Sequence, residues 1–168
     1  MKATHYAVSS LAALALCLIA HAPAQAGIVD SALPVLSAGA TTFHLYSVPG
    51  VIRFNGVSTF FSCTSTDSAA TQVGVELFGP AGGAPGNDAA ATSLSVAPGA
   101  TVIFGTGAAA GISIDSNLGG LFSKGSARIL ATSKKLACTA FLADDGNAPP
   151  TSMAQLTIIA KTKQKAHN

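Results

Sequence analysis

The chain has 168 residues, a formal net charge of +2 and only 10% charged residues. So weak a charge gives no electrostatic field for holding nucleic acid or an anionic membrane surface. Beyond residue 26 no apolar run approaches the roughly 20 residues of a spanning helix. We therefore expect no nucleic-acid partner and no membrane span.

The first 26 residues have the pattern of a signal peptide. Lys2 precedes an apolar run over residues 11–20, and Ala24 and Ala26 supply the small residues of a cleavage site. Cys17 lies in this segment, but the residue before it is not the small one of a lipoprotein site. We predict export, cleavage after Ala26, and localisation in the periplasm or the extracellular medium.

The rest of the chain is predicted to form one domain. Residues 27–40 show no clear hydrophobic period, so we expect a flexible N-terminal lead. Residues 41–161 carry the predicted strands, and residues 162–168 form a polar C-terminal tail.

Short segments of alternating apolar and polar residues follow one another through the β domain. Turn residues such as Pro49-Gly50, Asn55-Gly56 and Pro98-Gly99 separate them. The predicted strands cover residues 41–48, 57–66, 71–78, 94–96, 101–104, 126–132, 135–143 and 154–160, with a brief alternating piece at 112–114. No segment has a sustained helical period, so we predict an all-β fold of about eight strands, an antiparallel β-sandwich.

Cys63 and Cys138 lie on the apolar faces of two predicted strands. Once Cys17 leaves with the signal peptide, they are the two cysteines of an exported chain, where disulfides persist. We predict one disulfide that pins two strands across the core. Closing its loop of about 75 residues would contribute roughly 4–5 kcal/mol in a chain-entropy treatment. The alternative is two separate free thiols.

Phe60 and Phe141 lie on the faces opposite the two cysteines. If the cysteine faces form the core, both rings point outward. Two interpretations stay open: a terminal segment or loop covers the rings, or they form a surface for self-association or for another envelope or extracellular protein.

Residues Ser93 to Phe104 resemble the strand–Pro-Gly–strand hairpin of bacterial immunoglobulin-like sandwiches. Cysteines on an early and a late strand are similar to the cross-sheet bridge of such folds. The chain has no Trp, and Leu136 stands where the corner Tyr of that family would be, so the resemblance is one of architecture. Residues 124–140 also resemble small exported bacterial β-sandwich proteins of unassigned function, a resemblance that implies no particular chemistry.

Motifs for cofactor binding or nucleophilic catalysis are few. Residues Gly105 to Ala110 match G-x-G-x-x-A after a strand, but the residues that follow do not continue the helix a dinucleotide site needs. The motifs G-x-S-x-G and S-x-x-K are absent. We expect no cofactor and no nucleophilic site.

Metal ligands are equally sparse. His44 lies within a predicted strand, and His167 is the penultimate residue. Cys138 has no His or Met within ten residues, which disfavours a blue-copper site. The loop at residues 144–147 lacks the ligand spacing of an EF-hand. We expect no resident metal.

These patterns favour a non-catalytic exported module with a binding, adhesive or structural role. The alternative is an extracytoplasmic enzyme or metal-binding protein whose site is assembled from distant residues. Its best available parts are His44, Glu76 and the Asp144-Asp145 pair. Convergence of His44 with two carboxylates in one pocket would favour the enzyme, and separate positions would favour the module.

Overall fold

The computed structural model describes residues 28, 31–108, 111–120 and 122–161. The regular elements in these ranges are ten strands: β1 (Phe43–Phe54), β2 (Val57–Ser65), β3 (Thr71–Phe78), β4 (Leu94–Val96), β5 (Thr101–Gly105), β6 (Ser116–Asn117), β7 (Phe122–Ala131), β8 (Leu136–Asp144), β9 (Met153–Leu156) and β10 (Ile159–Ala160). None of the described residues belongs to a helix that could cross a membrane. The predicted signal peptide and the tail at 162–168 lie outside the described residues.

Hydrogen bonds connect all ten strands into one sheet that curls until it is nearly barrel-shaped. The strand order is β4-β3-β7-β1-β2-β5-β6, while β8 lies along β2, β9 along β8, and β10 along β1. The pair β5 and β6 is parallel, so the sheet is mixed. The all-β prediction is confirmed. The predicted antiparallel sandwich is not confirmed, because one continuous mixed sheet surrounds the core.

Strand β1 runs unbroken through Pro49-Gly50, where the sequence predicted a turn. Its register against β7 shifts between Pro49 and Val51, and Gly50 has φ of +78°. Such an irregularity bends a strand without ending it, and a proline is tolerated there. The first half of β1 pairs with β10, and its end pairs with β2 through Arg53 and Ser58. β1 thereby joins the two halves of the curled sheet.

The last predicted strand, at 154–160, is divided in two. β9 pairs with β8, whereas β10 pairs with β1, and Thr157 and Ile158 lie between them. This change of partner carries the chain from β8 to β1. The Tyr46 hydroxyl of β1 also donates a hydrogen bond to the Leu136 carbonyl of β8.

The principal core fills the inside of the curled sheet. The predicted alternation in β3 is confirmed, since Val73, Val75 and Leu77 are almost fully buried. They pack with buried apolar side chains of the neighbouring strands, among them Val48, Val51, Phe61, Cys63, Phe104, Ala127, Ile129 and Ala140. Burial of this kind is the main favourable contribution to folding.

A disulfide joins Cys63 and Cys138, as predicted. Its expected position across the core is wrong, because β2 and β8 are hydrogen-bonded neighbours. The two cysteines are directly opposite in the register of this pair, with a Cα–Cα distance of 4.2 Å. The bridge therefore fastens two adjacent strands.

Both faces of β2 are covered. Phe61 enters the principal core, and Phe60 enters a second cluster on the outer face of the sheet. Ile112 and Ile114 pack on this second cluster. The side chains of Ile112 and Ile114, in the alternating piece at 112–114, thus cover Phe60. The short strand β6 follows this piece.

The predicted N-terminal lead is attached to the outer face of β3 and β7. Leu36 is 7% exposed and forms a third buried cluster with Ala89 and Leu130. A β-carbon on Gly74 would come within 2.9 Å of the Leu36 side chain, so the segment lies tightly against the sheet.

Candidate functional site

The imidazole of His44 is held at both ring nitrogens. Nε2 lies 3.1 Å from the Tyr46 carbonyl oxygen and 3.0 Å from Ser47 Oγ, while Nδ1 lies 3.3 Å from Lys161 Nζ. A carbonyl oxygen only accepts, so Nε2 carries the hydrogen, and Nδ1 accepts from the lysine ammonium. His44 is therefore the neutral tautomer with a hydrogen at Nε2.

The pKa of His44 is lowered to about 4, first by partial burial and then by the positive charges of Lys161 and Arg128. A hydrogen bond to the Tyr46 carbonyl acts in the opposite direction. Desolvation and nearby cations both disfavour the imidazolium form.

A serine close to a histidine suggests a nucleophile and its base, and Ser47 was not singled out from the sequence. The sequence shows only that Ser47 follows His44 by three residues. A register shift in β1 between His44 and Tyr46 accompanies their contact in the structure. The arrangement nevertheless opposes catalysis, because the nitrogen facing Ser47 is protonated and cannot take its proton. In a catalytic triad a carboxylate stabilises the imidazolium, whereas here Lys161 destabilises it.

Glu76 forms an ion pair with Arg128 on the outer face of the sheet. The two residues are opposite each other in the β3–β7 register, and their side chains are 5% and 1% exposed. The Arg128 guanidinium also lies 5.3 Å from the centre of the Phe78 ring. The contact makes Glu76 a structural partner of Arg128.

The remaining donors of Arg128 bind the N-terminal segment. Its Nη1 donates to the carbonyl oxygens of Ile28 at 3.4 Å and Ser31 at 3.0 Å, and Nη2 donates to Ala32 at 2.9 Å. The planar guanidinium presents several donors in a fixed fork, which suits such a cluster of carbonyls.

Asp144 stabilises its own loop, and Asp145 binds β2. Asp144 accepts hydrogen bonds from the Asn147 side chain, the Ser152 amide and Thr151, and the first two of these chiefly lower its pKa. Asp145 accepts a hydrogen bond of 2.9 Å from Ser58 Oγ. In the described part of the chain no three His, Cys, Asp or Glu side chains gather as metal ligands would.

These candidate residues do not converge. His44 belongs to β1, Glu76 to β3, and Asp144 to the end of β8. Three surface cavities of about 410, 260 and 200 Å³ lie on the described surface, and none of them is lined by His44 or Glu76. Asp144 alone of these candidates lines one, the cavity of about 200 Å³. Separate positions are the outcome that favours a non-catalytic module.

Phe60 and Phe141 are stacked with ring centres 5.4 Å apart. Phe60 is fully buried beneath Ile112 and Ile114, so it offers no surface to a partner. For this ring the structure has the loop cover that was one of the two open interpretations. Phe141 stays partly exposed next to Gln155 of β9.

The pattern G-x-G-x-x-A begins at the end of β5. Gly105 is the last residue of that strand, residues 106 and 107 form bends, and residue 108 is not helical either, while Ala109 and Ala110 lie outside the described residues. A β-carbon on Gly107 would come within 2.5 Å of Ser58 Oγ, so this glycine serves close packing against β2.

Comparison of the chain with protein-family models, with curated proteins and with solved structures gives no match. The assignment of function therefore depends on the geometry of the chain itself.

Proposed function

We propose that the protein is a non-catalytic exported module with a binding, adhesive or structural role in the periplasm or outside the cell, built on an immunoglobulin-like sandwich. One observation carries this proposal. Among the described residues, the candidate ionisable groups are each engaged in a structural contact: His44 with Lys161, Glu76 with Arg128, and Asp144 with its own loop. No observation favours the alternative of an enzyme or metal-binding protein.

Support for the sandwich comes from the two halves of the sheet that β1 joins. One half contains β3 and β7 and the other contains β2 and β8, and their inner faces share one core. Layers that bury facing apolar surfaces are the usual architecture of such folds.

Export is tested by producing the full chain, with its own first residues and a C-terminal tag, in a bacterial host that has a periplasm. We expect the protein in the periplasm or the medium, with Gly27 as its N-terminus and with Cys63 and Cys138 resistant to alkylation before reduction. An unprocessed chain that starts at Met1 and remains in the cytoplasm would overturn the export proposal.

An experiment with the purified, processed chain distinguishes a non-catalytic module from an enzyme. We expect this chain to be retained by an envelope or extracellular-matrix preparation of the host, and we expect His44→Gln to be retained equally. The same preparation is also compared by mass spectrometry before and after incubation with wild type or with His44→Gln, to detect any product. A product formed by wild type and not by His44→Gln would contradict a non-catalytic role.

A further inference from the structure

Strand β9 is an edge strand whose outward hydrogen-bonding groups can be assigned from the ladder. The Asp144 amide donates to the Ser152 carbonyl at 3.2 Å, so residues 144 and 152 form a hydrogen-bonded pair. In an antiparallel ladder such pairs alternate, which places Ala154 and Leu156 in the following bonded pairs with β8. Met153 and Gln155 therefore direct their backbone N–H and C=O groups away from β8.

Among the described strands, only β8 pairs with β9, and β9 itself carries no charged residue. Met153 is 61% exposed, and Ala154 and Gln155 are exposed as well. Residues 151–160 contain no charged residue and no proline. Edge strands are normally protected by such residues, because free N–H and C=O groups otherwise pair with another strand.

The edge is complementary to itself. About a two-fold axis through Ala154, Met153 opposes Gln155 of the partner subunit, and Gln155 opposes the partner subunit's Met153. Two bonded pairs of this kind exchange about four backbone hydrogen bonds. Ala154 then faces its own copy across a non-bonded pair, at a Cα separation of about 4.5 Å where a methyl group fits. No like charges meet along the strand.

The same pairing extends the outer face of the sheet. Phe141 is opposite Gln155, and Ala143 is opposite Met153, in the β8–β9 register. A paired copy would continue the row from Phe60 and Phe141 through Gln155 into Met153 of the partner subunit. The partly exposed side of Phe141 would then lie near the interface.

We propose that the protein forms a homodimer by antiparallel pairing of β9 with β9 of a second copy, centred on Ala154. This inference rests on the proposed function as a binding or structural module, for which it names the partner. A four-residue strand gives an interface at the small end of the known range, so we expect a dimer that depends on concentration, with a Kd on the order of micromolar.

Charged variants at residue 154, on the two-fold axis, test the proposal in the complete chain that remains after cleavage of the signal peptide. Ala154→Lys and Ala154→Glu each place two like charges opposite each other, and we expect each variant to raise the dimer Kd about tenfold or more in sedimentation equilibrium. An equimolar mixture of the two variants should recover dimers, because opposite charges then meet. Circular dichroism and melting temperature check that each variant is folded.

Ile159→Lys is the matched control. Ile159 is 53% exposed and lies on β10, outside the proposed pairing. This variant should dimerise like wild type. Gln155→Pro removes an outward donor and leaves the ladder to β8 intact, so it should weaken the dimer as the charged variants do.

Three results would overturn the proposal. They are a wild type that stays monomeric throughout the concentration series, a dimer that is indifferent to Ala154→Lys, and a mixture of the charged variants that fails to associate. Loss of envelope retention by Ala154→Lys in a monomeric wild type would assign the edge to a different protein. If the protein is a monomer that the envelope preparation still retains, the dimer is rejected and the proposed module remains. If it is a dimer that the preparation does not retain, the proposed module is rejected and the dimer remains.

Discussion

At the scale of single residues, His44 makes stability depend on pH. Its pKa is about 4 in the folded protein, against 6.5 for the unperturbed side chain, so between these values the unfolded chain binds more protons. The contribution is complete above about pH 6.5 and is lost as pH falls toward 4. Because the ring is only half-buried, solvent screening limits the loss to about 2 kcal/mol or less.

Urea unfolding at about pH 7 and about pH 5 measures this loss. His44→Gln should show a smaller decrease in the midpoint than wild type between these two conditions, since glutamine does not titrate. An equal decrease in both proteins would show that another group is responsible.

The buried pair of Arg128 and Glu76 gives a second prediction at this scale. Arg128→Met leaves a buried carboxylate without a cation and should lower the free energy of unfolding by about 3–5 kcal/mol. Adding Glu76→Leu removes the unpaired charge, so the double variant should be more stable than Arg128→Met alone. Denaturant unfolding of Arg128→Met, Glu76→Leu and the double variant completes the cycle. A double variant less stable than Arg128→Met would contradict this account.

At the scale of elements, the attachment of the N-terminal segment is tested at Gly74. An alanine there would place its β-carbon 2.9 Å from Leu36 Cδ2 and 3.1 Å from the Ala89 carbonyl. We expect Gly74→Ala to cost about 1–3 kcal/mol and to increase amide hydrogen exchange over residues 31–36.

Gly79→Ala is the matched control, since a β-carbon at Gly79 meets nothing within 4 Å and its φ is not positive. It should leave both stability and exchange near wild type. Unchanged exchange over residues 31–36 in Gly74→Ala would mean that Leu36 does not hold the segment.

At the scale of the whole molecule, the disulfide acts mainly by lowering the conformational entropy of the unfolded chain, and it changes the folded structure less. It joins strands that are already hydrogen-bonded neighbours, yet it closes a loop with a sequence separation of 75. Replacing Cys63 and Cys138 together by alanine should therefore lower stability by about 2–4 kcal/mol, mainly through the entropy of the unfolded state. Thermal unfolding of this variant beside reduced wild type measures the effect. An unchanged melting temperature would contradict it.

The all-β class and most strand positions follow from the sequence alone. The bounds of β2, β3 and β8 agree closely with the prediction, because side chains on the same face of a strand recur every two residues. The disulfide was predicted from the number of cysteines together with their positions on the apolar faces of two strands. The failures are local and have physical causes: Pro49-Gly50 is also compatible with a bulge, and the uniform pattern at 154–160 does not reveal a change of pairing partner.

Which residues meet depends on the tertiary fold. Strand pairing is non-local, so the sequence could not show that Cys63 and Cys138 are adjacent within a sheet, or that Ile112 and Ile114 cover Phe60. It could not show that Arg128 binds the carbonyls of the N-terminal segment, because backbone acceptors leave no mark on side-chain identity. The direction of the free N–H and C=O groups on β9 is likewise set by its ladder with β8, and that direction makes the edge a candidate for pairing.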